Sequence, residues 1–230
     1  HRNHYSYAKI NMFEYFDIHS HLYFPDYDKD REEEIEKIKK AKIGTITIGT
    51  DIESSKKAIE LAEKHSNLFA CIGQHPGETS VDSVFNEDLN LLADNPKVVA
   101  IGETGLDYFR MFPDNSSLKG IQKTIFEYHI DLALDKNLPL MLHIRSSRGT
   151  QDAYLDALDI LEHHAKTSGG KLRGNAHFFA GDMNILKRLL AIGFTVSFTG
   201  VITFTSDYDE LIKSAPLDRL MSETDAPFVA

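Results

Sequence analysis

Apolar residues recur along this chain in two alternating rhythms. Short runs rich in β-branched and other apolar residues predict strands at 14–21, 43–49, 68–74, 98–103, 138–143, 172–177, 194–198 and 219–223. Between them apolar residues fall at helical spacing: Ile35 and Ile38 in 30–40, Ala58, Ile59 and Ala62 in 51–65, Ile121, Ile125, Ile130, Ala133 and Leu134 in 118–136, and Leu155, Leu158 and Leu161 in 152–165. Shorter helical segments are expected at 87–94, 182–191 and 208–214. In 30–40 the glutamates Glu32, Glu33 and Glu34 come first and lysines come last, the order the helix dipole favours. Eight strands alternate with seven helices, and no linker rich in Gly, Ser or Pro intervenes. Such alternation predicts parallel strands joined by helical crossovers in a single domain over 12–230. Residues 1–11 look unlike the rest and are read as a leader or tag-like extension, with Met12 as a natural start.

Five of the predicted strands end on residues that bind metals. The run 98–102 ends on Glu103, 138–142 on His143 and 172–176 on His177, and the last strand leads to Glu223 and Asp225. The first carries Asp17-Ile18-His19-Ser20-His21. Residues two apart in a strand share a side, so His19 and His21 are expected to project together with Asp17 below them. In a closed barrel the C-terminal ends of all strands converge on one mouth, whereas in an open sheet the outermost lie far apart. Ligand-type residues at five such ends therefore select a TIM (β/α)8 barrel over a doubly wound open sheet.

Imidazole and carboxylate together suit Zn²⁺ or Mn²⁺, and four histidines sit less naturally with Mg²⁺, which prefers oxygen ligands. The expectation is two divalent ions, Mg²⁺, Mn²⁺ or Zn²⁺. Held about 3.5–4 Å apart by a shared carboxylate, such ions clamp attacking and leaving oxygens. Glu103 comes from a strand between the two sets of histidines and is the expected bridge. His19, His21 and Asp225 would take one ion, His143 and His177 the other. Asp225 is also the candidate base for metal-activated water. Glu223, placed with Asp225 among the catalytic candidates, has three open readings: orienting substrate, supporting a ligand, or forming a structural charge pair. Asp17 is read as an orienter of ligands rather than a ligand. His75, in Gln74-His75-Pro76, either touches substrate or fixes its loop. Arg145 follows His143 by two residues and should reach the mouth, where a guanidinium suits phosphate oxygens. Arg110 and Arg148 are contacts of the same kind or solvated loop charges.

Composition narrows this picture in three places. A formal net charge of −10 argues against broad attraction to nucleic acid, although a local site with metal cations and a few arginines can oppose the global sign. No apolar run approaches the roughly 18 residues of a membrane helix, and the first residues lack the zones of a signal peptide. The single cysteine, Cys71, lies in an apolar run and has no partner for an internal disulfide, so a buried small hydrophobe and a reducing, cytoplasmic location are expected.

Taken together, the segments Phe16-Asp17-Ile18-His19-Ser20-His21, Ile72-Gly73-Gln74-His75-Pro76, Ile101-Gly102-Glu103-Thr104-Gly105-Leu106-Asp107-Tyr108, Leu140-Met141-Leu142-His143-Ile144-Arg145, Ala176-His177-Phe178 and Glu223-Thr224-Asp225-Ala226-Pro227 resemble the TatD-related DNase family of metal-dependent hydrolases. They span 16–227 in that family's order. The resemblance implies a TIM barrel, a divalent-metal centre and hydrolysis of phosphodiester bonds, usually in DNA, with cleavage from an end as one expected mode. It places metal ligands at His19, His21, Glu103, His143, His177 and Asp225, and puts Glu223 in the site. Two features depart from the family. Phe178-Phe179-Ala180-Gly181 stands where Cys-Phe-Ser-Gly is more usual. The chain also ends at Ala230, where the family continues into a closing helix, so the outer faces of the eighth and first strands are expected to be uncovered.

Overall fold

A computed structural model describes residues 13–111 and 115–229; the reading of 1–11 as a leader lies outside them. The strands are β1 (Tyr15–Ser20), β2 (Ile43–Ile48), β3 (Leu68–Ile72), β4 (Val98–Asp107), β5 (Leu140–Arg145), β6 (Gly174–Ala176), β7 (Thr195–Phe198) and β8 (Leu220–Ser222). The helices are α1 (Arg31–Lys40), α2 (Ile52–Lys64), α3 (Asp88–Leu92), α4 (Ser116–Lys136), α5 (Asp152–Thr167), α6 (Met183–Ala191) and α7 (Asp209–Ser214). The strands pair in parallel in the order β1-β2-β3-β4-β5-β6-β7-β8, with helices between them: a nearly closed TIM barrel.

Helix ends follow from local chemistry. Asp51 accepts the Ser54 N–H at 2.7 Å and Ser54 Oγ accepts the Asp51 N–H at 2.9 Å, a reciprocal cap that starts α2. Asn115 and Asp182 cap α4 and α6 through Leu118 N–H (3.0 Å) and Ile185 N–H (2.9 Å). Asn137, in the left-handed region at φ 53°, stops α4.

Two strands differ from expectation. β6 is short and leaves His177 just beyond its end. β4 runs on past Glu103 to Asp107, with an irregular register against β5 between Ile101 and Thr104. Two glycines make this possible. A Cβ on Gly102 would lie 2.3 Å from Met141 O, and one on Gly105 2.2 Å from His143 O. Both also have positive φ, +151° and +137°. Bulged strands re-aim side chains, and here the irregular segment presents Glu103 to the histidines of neighbouring strands. A second register shift lies in β1 between Asp17 and Ser20. Asp17 therefore does not stand beneath His19, as simple alternation implies.

The larger core fills the space between sheet and helices, with Ile35, Leu61, Phe126, Ile130, Leu158 and Leu189 fully or almost fully buried. A separate cluster of Ile18, Ile48, Cys71, Ala100 and Met141 comes from β1 to β5 alone. Met141 precedes His143 by two residues on β5, so this cluster underlies the mouth. Cys71 is a buried hydrophobe here, its thiol pushed well up by burial.

The seam between β1 and β8 is built differently. One bridge, Ser20 to Ala226, joins them, with Asp225 N–H donating to His19 O (2.9 Å) and His21 N–H to Ala226 O (2.8 Å). No helix follows β8 among the described residues, and Tyr15, Phe16 and Met221 stand exposed.

Candidate metal centre

Glu103 lies at the middle of the mouth, almost fully buried. Its Oε1 is 3.0 Å from His143 Nδ1 and 2.9 Å from His177 Nε2. Its Oε2 faces the other way, 3.5 Å from His19 Nε2 and 3.8 Å from His21 Nε2. Asp225 Oδ1 lies 3.4 Å from each of those two nitrogens, which are themselves 3.2 Å apart. The six residues read as ligands from the sequence thus meet in one place. His19 and His21, with Asp225, lie on the Oε2 side of Glu103 and His143 and His177 on its Oε1 side, while by closeness of ligand atoms His177 also groups with His19, and His143 with His75. The His19 and His177 rings stack at 3.8 Å between the two.

The donor set fits divalent cations. His21 Nδ1 donates to Ile48 O at 2.9 Å, so in the neutral ring Nε2 keeps its lone pair toward the centre. That lone pair meets His19 Nε2 and two carboxylate oxygens, an assembly of acceptors with too few protons between them. Ligand atoms of His19, His21 and Asp225 lie within 4.8 Å of one another, as do those of His19, Glu103 and His177. His19 Nδ1 is buried without a partner. A cation among the inward-facing Nε2 atoms of His19 and His21 and the carboxylate oxygens would satisfy them with mixed nitrogen and oxygen donors.

His75 is different. Gly77 N–H donates to its Nδ1 at 2.9 Å, so the neutral ring carries its proton on Nε2, and Nε2 points to Glu103 Oε1 at 3.5 Å. It fixes its loop and also presents an N–H donor to the site. Although its ring lies among the ligand groups, this tautomer is not a ligand. Burial, foremost, pushes its pKa down to about 3.

The charges are arranged unequally. Burial lowers the pKa of His19, and the neighbouring charge of His177 adds to the effect. For His177 burial acts the same way, but the carboxylates of Glu103 and Glu223 overcome it and raise its pKa well above the ordinary imidazole range. For His143 burial is likewise outweighed, by Asp107 and Glu103. Burial alone would raise Glu103, yet the facing histidines, His177 foremost, hold its carboxyl well below the usual range. Asp225 is lowered too, its burial offset by the adjoining imidazoles, His21 foremost and then His19 and His177.

Two sequence readings change in position. Asp17 accepts the backbone N–H groups of His19 and Thr224, both at 3.0 Å, and the Thr224 hydroxyl at 2.8 Å. It orients β1 against the chain after β8 rather than an imidazole ring. Glu223 is not turned toward a substrate. Its Oε1 accepts the Phe178 N–H at 2.6 Å and its Oε2 lies 3.6 Å from His177 Nδ1, so it stands behind His177. Its contacts are with the His177 ring and the Phe178 backbone, where both ligand support and a structural charge pair would place it. Phe178 sits at φ 44°, a conformation a bulky residue rarely adopts, and the Glu223 bond holds it there. Arg145 and Arg110 are exposed at the mouth: Arg145 stacks on Phe109 at 3.9 Å, and Arg110 Nε is 3.6 Å from Asp107 Oδ2.

One residue was missed. Asp107 Oδ2 lies 3.2 Å from His143 Nε2, the carboxylate–histidine pairing that fixes a ligand's tautomer. In sequence it looked like a loop residue, because the strand before it was expected to end at Glu103.

Residues 16–230 match the family described as TatD related DNase. The chain belongs to that family. Among its relatives is an "uncharacterized metal-dependent hydrolase", YabD of Bacillus subtilis, 37% identical over 93% of this chain and 80% of that protein. Another of the same description, YcfH of Escherichia coli, is 32% identical over 93% of this chain and 78% of its own length. The crystal structure of the TatD homologue YjjV from Escherichia coli superposes with a TM-score of 0.77 at 29% identity, covering 93% of this chain and 80% of that one. The family and these relatives make the chain a metal-dependent hydrolase of the TatD type; the relatives' descriptions state no substrate.

Proposed function

We propose that this chain is a deoxyribonuclease that cleaves phosphodiester bonds of DNA, acting from an end, at two divalent metal ions. The observation that carries the reading is Glu103: one carboxylate turns an oxygen to each of two separate ligand groups, as a bridge must. His19, His21 and Asp225 would hold one ion and His143 with His177 the other. Such ions, when bound, polarise phosphoryl oxygens and bring the pKa of water near neutrality. Mn²⁺, Zn²⁺ and Mg²⁺ all remain open to these ligands.

The rest is the protein's own contribution. Asp225 has a side chain 13% exposed, against 4% for Glu103 and 0% for Asp107 and Glu223. Among the site's carboxylates it alone combines contact with the ligands and access to solvent, which a base that passes its proton onward requires. Asp107 and Glu223 stand behind His143 and His177 and keep those rings aimed at Glu103. The Nε2–H of His75 donates to a substrate oxygen at the centre. Arg145 and Arg110 attract the flanking phosphates locally, against a net charge of −10. The lone buried cysteine accords with a cytoplasmic location, and no described helix is long and apolar enough to cross a membrane.

The test is release of nucleotides from linear DNA on addition of Mn²⁺ or Mg²⁺, abolished by EDTA and by Glu103→Ala. Cleavage that survives both would discard the reading. The net charge favours a second reading, hydrolysis of an ester or amide in a small molecule or aminoacyl ester. A panel of phosphodiesters and acyl esters assayed with the same protein preparation separates the two.

A further inference from the structure

Helix α4 carries two buried polar side chains two turns apart, Gln122 and His129, on a helix whose buried face is otherwise largely apolar. Both reach across to the mouth. His129 donates from Nδ1 to Ile125 O (2.8 Å) within its own helix and accepts the Gln74 N–H on Nε2 (3.0 Å). Gln122 donates from Nε2 to Pro76 O (2.8 Å), so the two side chains grip the residues on either side of His75. Gln122 does more. Its Oε1 accepts the Asp107 N–H at 3.0 Å and its Nε2 lies 3.4 Å from Asp107 O.

The reason lies in strand lengths. β3 ends at Ile72, paired with Ile101, whereas β4 continues to Asp107. Asp107 turns its N–H and C=O away from β5, toward the side where β3 has already stopped. The carboxamide of Gln122 supplies there the donor and acceptor of the missing peptide group. It also ties Asp107 to the His75 segment. Those are the two neighbours of His143: Asp107 Oδ2 at 3.2 Å from its Nε2, and the His75 ring at 4.2 Å.

We propose that Gln122 is a positioning residue for the half of the centre that contains His143, acting through Asp107 on one side of that ring and through Pro76 and His75 on the other. The inference rests on the two-metal reading above. It concerns a residue in a helix outside the mouth, and a side chain that itself touches no ligand atom of the centre.

Calorimetric titration of the metal-free protein with MnCl2 tests it. The unaltered protein binds two equivalents, and His143→Ala identifies the class of site that belongs to its half. Gln122→Met keeps the length and bulk of the side chain and removes both hydrogen-bonding atoms. It should weaken that class by about 10–100-fold, leave the other within about twofold, and still melt cooperatively. Phe126→Leu, a fully buried neighbour on the same helix, should lower the melting temperature and leave both classes unchanged. Equal weakening of both classes by Gln122→Met, or of neither, would overturn the proposal. Should Gln122→Met fail to fold, Gln122→Glu keeps an acceptor for the Asp107 N–H and loses the donor shared by Pro76 O and Asp107 O, and the same selective weakening is expected. If neither variant folds, Gln122 is a fold-bearing residue and the proposal is wrong. An unaltered protein that binds fewer than two equivalents would instead remove the two-metal reading itself.

Discussion

The two halves of the centre use similar ligands and hold them by different means. His143 stands on a strand laddered on both sides, with β4–β5 pairing from Ile101–Leu140 to Asp107–Arg145 and β5–β6 pairing beside it. His177 follows directly on β6, and each of the two rings has a carboxylate behind it. His19, His21 and Asp225 stand at the seam, where β1 and the chain after β8 share one bridge and the Asp17 carboxylate takes N–H groups a ladder would otherwise satisfy. There His21 leans on a backbone carbonyl, and His19 Nδ1 is buried without a hydrogen-bond partner, as is His177 Nδ1 in the other half, where the Glu223 charge faces it at 3.6 Å. Position in the ladder half comes from strand pairing on both sides and charge; in the seam half it comes from β1–β2 pairing on one side and a few backbone and side-chain hydrogen bonds on the other. The ladder half should therefore be the more basic and the seam half the more easily displaced.

Glu103 belongs to both halves, so its removal has the largest effect. Glu103→Ala is expected to lower kcat/KM by about a thousandfold or more, equivalent to roughly 4 kcal/mol of transition-state stabilisation, and to weaken Mn²⁺ at both sites together. Loss confined to one class of site in a metal titration would show that the carboxylate is not shared, and the two halves would then be separate sites.

The next effect separates the halves by pH. Metal binding needs neutral imidazole. His143 and His177 have raised pKa values, because their carboxylate neighbours overcome burial, while burial lowers that of His19. Above the ordinary imidazole pKa of about 6.5, His19 is already bare, and protons still occupy the ladder half. Mn²⁺ affinity of the class assigned to His143 should keep rising as pH increases from about 6.5, by up to about tenfold per unit, while the seam class levels off. In the metal-free protein the same raised values stabilise the fold fully below about pH 6.5 and lose that contribution as pH climbs through them. Two parallel affinity profiles between pH 6 and 9 would refute the asymmetry.

The seam can be loosened directly. Asp17→Ala leaves the N–H groups of His19 and Thr224 without their acceptor. It should cost about 1–3 kcal/mol of stability and weaken the seam class of Mn²⁺ site more than the ladder class, read by thermal melts and the same titration. A loss of stability with both classes intact would mean that Asp17 only closes the barrel.

Asp17 also marks where sequence reading stopped being sufficient. Eight strands were legible because each run of apolar residues was bounded by helical spacing, and the ligands near their ends were legible because a histidine or carboxylate after an apolar run is chemically conspicuous, although β4 and β5 run on past theirs. The register shift between Asp17 and Ser20 was not, since nothing in Asp17-Ile18-His19-Ser20-His21 departs from simple alternation. Asp107 was hidden for a related reason: the strand was expected to end at Glu103, whereas Gly102 and Gly105 let β4 lie close against β5 and run on. Gln122 and His129 disappeared into a helix whose apolar spacing was already explained. What escaped were contacts decided by backbone path and by atoms far apart in the chain; what survived were residues whose chemistry is rare at the places they occupy.

The smallest expected effect lies outside both halves and tests whether the comparison extends to substrate. Arg145 follows His143 on β5 but turns its guanidinium onto Phe109 at 3.9 Å rather than into the ligand cluster. A stacked, planar cation held beside the ladder half suits a phosphate that flanks the one being cleaved. Arg145→Ala should raise KM for a DNA substrate by about three- to tenfold, with kcat within about twofold, because such a contact is made equally in ground and transition states. Arg145→Lys should recover little of this, since an ammonium group neither stacks as a plane nor forks onto two phosphate oxygens. Both Mn²⁺ classes should be unchanged in each variant. The KM effect should shrink as salt rises, because an exposed contact is screened within about 10 Å at 0.1 M ionic strength. A fall in kcat with unchanged KM would instead place Arg145 against the reacting phosphate itself, and an acyl-ester substrate lacking phosphate should show no dependence on Arg145 at all.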